Sequence, residues 1–360
     1  MGSDKIHHHH HHMYETFMKR AIELAKKGLG RVNPNPPVGA VVVKDGRIIA
    51  EGFHPYFGGP HAERMAIESA RKKGEDLRGA TLIVTLEPCD HHGKTPPCTD
   101  LIIESGIKTV VIGTRDPNPV SGNGVEKFRN HGIEVIEGVL EEEVKKLCEF
   151  FITYVTKKRP FVALKYASTL DGKIADHRGD SKWITDKLRF KVHEMRNIYS
   201  AVLVGAGTVL KDNPQLTCRL KEGRNPVRVI LDRKGVLSGK VFRVFEENAR
   251  VIVFTESEEA EYPPHVEKAL SDCSVESILR NLYERDIDSV LVEGGSKVFS
   301  EFLDHADVVF GFYSTKIFGK GLDVFSGYLS DVSVPPKFKV VNVEFSDSEF
   351  LVEMRPCSRE

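Results

Sequence analysis

The hydrophobic pattern changes period repeatedly along the first half of the chain. Residues 14–30 place Phe17, Ala21, Leu24 and Ala25 on one face, with Gly28 or Gly30 as a stop, which predicts an amphipathic helix. Val38 to Lys44 is a short apolar run, Asp45-Gly46 is a turn, and Arg47 to Gly52 answers it as the second strand of a hairpin. Residues 61–73 return to helical spacing and end at Gly74. Strands are predicted at 80–86, 109–113 and 134–137, and a helix at 140–154. Strands alternating with helices predict an α/β domain of three αβα layers whose sheet is largely parallel in part.

The alternation breaks at Thr156-Lys157-Lys158-Arg159-Pro160, a charge run closed by a proline. A second series starts at once, with strands predicted at 161–167, 201–205, 227–231, 250–254 and 289–292. Helices are predicted at 187–198 and 296–303, and an antiparallel edge pair within 340–354. The chain thus divides into an expression tag at 1–12, which holds the polyhistidine, and two domains at 13–157 and 158–360.

Composition narrows the field. The 51 basic and 52 acidic residues nearly cancel, which argues against nucleic acid or an anionic membrane as a partner. No apolar run approaches a membrane span and no leader pattern follows Met13, so a cytoplasmic protein is expected. Six cysteines in a chain of this size do not make a disulfide framework. Cys148, Cys218, Cys273 and Cys357 are scattered and read as inert thiols.

Cys89 and Cys98 are different. They follow His61-Ala62-Glu63, and Pro88 precedes the first of them. His61, Cys89 and Cys98 give three zinc ligands and leave a fourth place for water, the pattern of a catalytic rather than a structural zinc. Glu63 is then the proton carrier and not a ligand, as in the zinc-dependent base deaminases. Zinc would make water nucleophilic near neutral pH, and Glu63 would pass its proton to the ring nitrogen and the departing ammonia. In most deaminases of this kind two residues separate the cysteines; here eight do, including His91 and His92, which read as pocket-lining residues. A nucleoside or tRNA-base deaminase and an inactive zinc-stabilised binding module are the rival readings. Balanced charge disfavours the first, and Glu63 beside an open coordination place disfavours the second.

The segment from Glu87 to Cys98 resembles the zinc loop of the bifunctional deaminase–reductase family of riboflavin biosynthesis. Pro34-Asn35-Pro36-Pro37-Val38-Gly39 resembles that family's substrate segment, although Val32 stands where the family often has Thr. The blocks 164–175, 179–185, 204–219 and 293–296 resemble its reductase half, so the likeness covers nearly all of residues 13–355. It implies a cytidine-deaminase-like domain followed by a dihydrofolate-reductase-like α/β domain, zinc and NADPH as cofactors, and a homo-oligomer, dimer or tetramer. It implies deamination of a diamino-ribosylamino-pyrimidinone phosphate, followed by reduction of the ribosyl side chain to ribityl.

Residue by residue, the resemblance implies that Asn35 binds the pyrimidine. It implies substrate contacts at Ser181, Arg196, Leu216, Arg219 and Glu293. Cofactor contacts are implied at Ala167, Trp183, Thr208 and Asp212, and along Gly295, Ser296, Lys297, Val298, Phe299, Ser300 and Glu301. Arg196 and Arg219 suit the substrate phosphate, because guanidinium groups bind phosphate oxygens in pairs. Lys165 is the candidate proton donor at the sugar. The residues themselves support part of this. Gly205-x-Gly207 lacks the third glycine of a dinucleotide fingerprint, but Gly294-Gly295 lies between a strand and a helix, where backbone N–H groups can approach a pyrophosphate.

Overall fold

The computed structural model describes residues 2–182, 184, 185 and 187–357, with side chains from His12 onward. Trp183 therefore lies outside the described residues. The chain forms two compact units that meet in sequence between Lys158 and Arg159.

The first unit runs α1 (Gly2–Lys26), β1 (Gly39–Lys44), β2 (Arg47–Phe53), α2 (Ala62–Lys72), β3 (Thr81–Leu86), α3 (Cys98–Glu104), β4 (Thr109–Thr114), α4 (Gly124–Asn130), β5 (Glu134–Ile136), α5 (Glu141–Leu147) and α6 (Glu149–Lys157). Its sheet has the order β2-β1-β3-β4-β5. The hairpin is antiparallel, β1 is antiparallel to β3, and β3, β4 and β5 run parallel. Alternate strand residues feed opposite faces. Val42, Leu82, Val84, Val110 and Ile112 pack with Ala66 and Ile67 of α2, Ile102 of α3 and Phe128 of α4. Val41, Ile83 and Val111 pack with Met18, Ala21 and Leu24 of α1 and Val144 of α5. Three layers result, as the alternation predicts. The predicted 140–154 helix is in fact two helices, divided at Cys148, which is fully buried with its thiol 3.6 Å from the Pro37 carbonyl.

One glycine brings a functional helix into place. A Cβ on Gly52 would lie 2.3 Å from the Ala62 carbonyl and 2.6 Å from the Ala66 nitrogen. Only glycine lets β2 approach α2 this closely. The start of α2, which carries His61 and Glu63, is thereby set against the sheet.

The second unit contains β6 (Phe161–Ser168), β7 (Lys173–Asp176), α7 (Arg189–Ile198), β8 (Ala201–Gly205), α8 (Ala206–Asp212), β9 (Val227–Leu231), β10 (Val251–Thr255), β11 (Glu267–Leu270), α9 (Val275–Glu284), β12 (Ser289–Gly294), α10 (Ser296–Phe302), β13 (Val308–Ser314), β14 (Gly321–Asp323), β15 (Phe338–Ser346) and β16 (Glu349–Pro356). The large sheet has the order β11-β10-β9-β8-β12-β6-β13-β16-β15, and β14 pairs with β7 apart from it. Strands β11 to β13 of that order are mutually parallel; β16 and β15 add antiparallel pairs at the edge, where the sequence predicts them. Period-2 alternation again sorts the core. Ala201 and Leu203 face α9 and α10, whereas Val202 and Val204 face Val209 of α8. In β6, Leu164 and Tyr166 join the first face, which turns Lys165 and Ala167 to the other.

Candidate functional sites

The first site forms where α2 begins and β3 ends. His61 is the N-cap residue of α2, and Glu63 lies in its first turn, only 4 % exposed. The chain leaves β3 through Glu87 and Pro88 to Cys89, loops through exposed residues 91–96, and returns at Cys98, the first residue of α3. Binding atoms of His61, Glu63 and Cys98 lie within 4.8 Å of one another, and His61 Nδ1 is 3.2 Å from Cys98 Sγ. Cys89 stands outside that tightest group but lines a cavity of about 230 Å³ with Asn35, His54, His61, Glu63 and His91, and Cys98 lies behind its wall. The Cys89 Sγ accepts the His91 backbone N–H at 3.3 Å.

The donor set fits a divalent cation. Burial pushes the Glu63 carboxyl up, more than His61 offsets. Burial also pushes both thiols up, with Glu63 adding to the rise at each. Acidic groups crowded in this way disfavour one another's ionised forms, and a cation among them reverses that preference.

Two further features of this cavity carry no motif. His54 is buried, with Nδ1 2.8 Å from the Pro60 carbonyl and Nε2 3.2 Å from the Asn35 amide nitrogen. A ring protonated on Nδ1 satisfies both contacts, and burial holds it neutral by lowering its pKa. The Asn35 nitrogen is thus spent on His54, and its oxygen remains as an acceptor. Asp116 also lines the cavity. Burial pushes its carboxyl up to about 6 against the Asn118 amide, with Glu87 adding to the rise. Neither residue has a local sequence signal; only the fold brings them in.

The second site lies at the carboxyl ends of the parallel strands, where open α/β sheets bind ligands. Glu293, at the end of β12, is 3 % exposed in its side chain and lies 3.1 Å from Lys165 Nζ on the neighbouring β6. Arg196 of α7 donates to both Glu293 oxygens at 2.8 and 2.9 Å and to the Thr217 carbonyl at 3.1 Å. Burial acts to raise the Glu293 carboxyl, but Arg196 and Lys165 outweigh it and hold the group at about 2. The Arg196 fork, expected on a phosphate, thus faces a carboxylate. Arg219 is exposed and lines the cavity beside Lys165. That cavity, of about 410 Å³, is also lined by Lys165, Ala167, Ser181, Arg196 and Leu216. Lys182, Arg189 and Arg243 add positive charge that sequence reasoning missed.

A neighbouring cavity of about 590 Å³ shares Ser181 and Asp212 with it. Thr208, Gly295, Ser296, Lys297, Val298 and Glu301 line it, as do Arg233 and Lys234 beyond β9. Gly294 sits at φ +130°, open only to glycine, and a Cβ on Gly295 would come within 3.0 Å of Thr208 Oγ1. Three of the residues implied as cofactor contacts stand outside this cavity. Phe299 is 2 % exposed and packs edge-on to Tyr166 in the core, and Ser300 donates to the Ser326 carbonyl; neither lines the cavity. Successive residues of one helix cannot all face one cleft. Ala167 lines the smaller cavity with Lys165, not the glycine-walled one.

Residues 11–114 match the cytidine and deoxycytidylate deaminase zinc-binding region, and residues 160–352 match the RibD C-terminal domain. The riboflavin biosynthesis protein RibD of Aquifex aeolicus is 48 % identical over 338 residues, which covers 91 % of this chain and 93 % of that protein. The chain belongs to the RibD family. The RibD of Actinobacillus pleuropneumoniae is 46 % identical over 78 % of each chain. A solved structure of Acinetobacter baumannii RibD superposes with a TM-score of 0.87 at 35 % identity, covering 97 % of this chain and all of that one. The first unit is accordingly the deaminase and the second the RibD reductase, joined in one bifunctional enzyme of riboflavin biosynthesis that acts on a phosphorylated pyrimidine. No helix among the described residues is long and apolar enough to cross a membrane.

Proposed function

We propose that His61, Cys89 and Cys98 hold zinc and that Glu63 moves the protons of deamination. His61 and Glu63 carry this reading, because they stand both in the close donor group with Cys98 and on the cavity wall with Cys89. Zinc, when bound, supplies a Lewis acid that makes water nucleophilic near neutral pH. Glu63, buried beside the metal and favoured in its ionised form by the bound cation, would take a proton from the attacking water and deliver it to the ring nitrogen and then to the leaving ammonia. Asn35, fixed by His54, accepts a hydrogen bond from the pyrimidine. Metal analysis of tag-free protein tests the ligand set: about one zinc per chain is expected, lost in Cys89→Ser and in Cys98→Ser. Full zinc in both variants would refute it.

In the second unit the cavity beside Gly294 and Gly295 takes NADPH, and the cavity beside Lys165 takes the sugar phosphate. Lys211, Arg233, Lys234 and Lys297 line the first with positive charge, which suits a phosphate-bearing cofactor. Bound NADPH supplies hydride. Lys165, held by Glu293, gives a proton to the sugar oxygen as the ring opens, and Arg219 binds the phosphate. The two cavities share Ser181 and Asp212, so hydride donor and acceptor can meet at their common wall. A homo-oligomer located in the cytoplasm completes the proposal.

A further inference from the structure

We infer that Lys127 is a positioning residue of the zinc centre, tying together the two ends of the loop that carries the thiols; this rests on the ligand set proposed above. Residues 90–97 between Cys89 and Cys98 form neither helix nor strand, and 91–96 are exposed. Such a loop does not by itself fix the distance between its two sulfurs. The Thr99 amide reaches the Cys89 carbonyl only at 3.4 Å, and Lys127, on α4, adds a charged tie between the same two ends. Its Nζ lies 2.7 Å from Asp90 Oδ1, 2.5 Å from Asp100 Oδ1 and 3.2 Å from Thr99 Oγ1.

Asp90 follows Cys89 directly, and Thr99 and Asp100 follow Cys98, so one ammonium bridges both cysteine-bearing segments. The Thr99 hydroxyl adds a 2.8 Å bond to the same Asp90 oxygen. The platform is itself anchored. Glu87 accepts the Val125 amide near the start of α4 at 3.0 Å and lies just upstream of Cys89. Asn123 caps the helix by accepting the Glu126 amide at 3.2 Å. Lys127 touches neither thiol; it acts through their neighbours, as outer partners of metal ligands do.

The rate at which tag-free, full-length protein gives zinc to a chromogenic chelator tests this. Lys127→Met is expected to release zinc at least ~10-fold faster, the lower range for loss of an outer partner of a metal site. Lys127→Arg should recover part of the loss. A bridge also predicts non-additivity: Lys127→Met should add little in an Asp90→Asn/Asp100→Asn background, whereas a general role in α4 stability would add in full. Should Lys127→Met not fold, Asp100→Asn, which alters a half-exposed surface carboxylate, must still speed release. Unchanged release in these variants, or full additivity, overturns the bridge. Full zinc in both Cys89→Ser and Cys98→Ser would instead overturn the ligand set beneath it.

Discussion

Glu63 is a carboxylate in the first turn of a helix, a place usually exposed, yet it is 4 % exposed. Its spacing from His61 was legible in the sequence because metal chemistry demands specific residue types in a specific order. Glu63→Gln should keep zinc and fold while deamination falls at least ~100-fold, since an amide cannot shuttle protons. Ammonia release measured on zinc-replete variant checks this, and near-normal turnover would remove Glu63 from the mechanism. Reduction of the already deaminated intermediate should survive. Arg219→Ala should weaken substrate binding by roughly 1.5–3 kcal/mol, the range for a hydrogen bond to a charged group, and leave NADPH affinity nearly unchanged. Calorimetric titration of each ligand separates the two; a selective loss for NADPH would move Arg219 to the cofactor side. His54 and Asp116 were not legible, because nothing in their neighbouring residues marks them and only chain folding brings them to Asn35 and Cys89.

Among elements, buried parallel strands were read best. Ala201–Gly205 and Val227–Leu231 match their predicted spans, because β-branched runs bounded by turns have few other readings. The short helices α4 and α8, of seven residues each, were missed, since so brief a segment shows too little of the helical period. Strand β13 was missed as well, although it supplies core residues beside β6. The contact that knits β6, β12 and α7 joins residues far apart in sequence: Lys165, Glu293 and Arg196. It carries a pH dependence of definite sign. Glu293 is held at about 2 against an ordinary 4.5, so its stabilisation is full above about pH 4.5 and is lost as pH falls toward 2. Acid titration of thermal stability should show a decline of the second unit across that window, and Glu293→Gln should flatten it. The variant should also be less stable at neutral pH, because two buried cations lose their partner. An unchanged acid profile would count against this charge cluster as a stabilising feature.

For the whole molecule, two alternating series divided by the Lys157-Lys158-Arg159-Pro160 run mirror two units, each with its own sheet and core. The family resemblance, more than periodicity, marked the second unit as a reductase, since Gly294-Gly295 alone also reads as a plain turn. One chain thus joins a deaminase and a reductase. The most direct measurement follows ammonia and NADPH together after the purified chain is given the diamino-ribosylamino-pyrimidinone phosphate. The wild type should release ammonia and then oxidise NADPH. Glu63→Gln should do neither with that substrate, yet should oxidise NADPH when given the deaminated intermediate. NADPH oxidation that never follows ammonia release in the wild type, or a Glu63→Gln variant that fails equally with both substrates, would contradict the account.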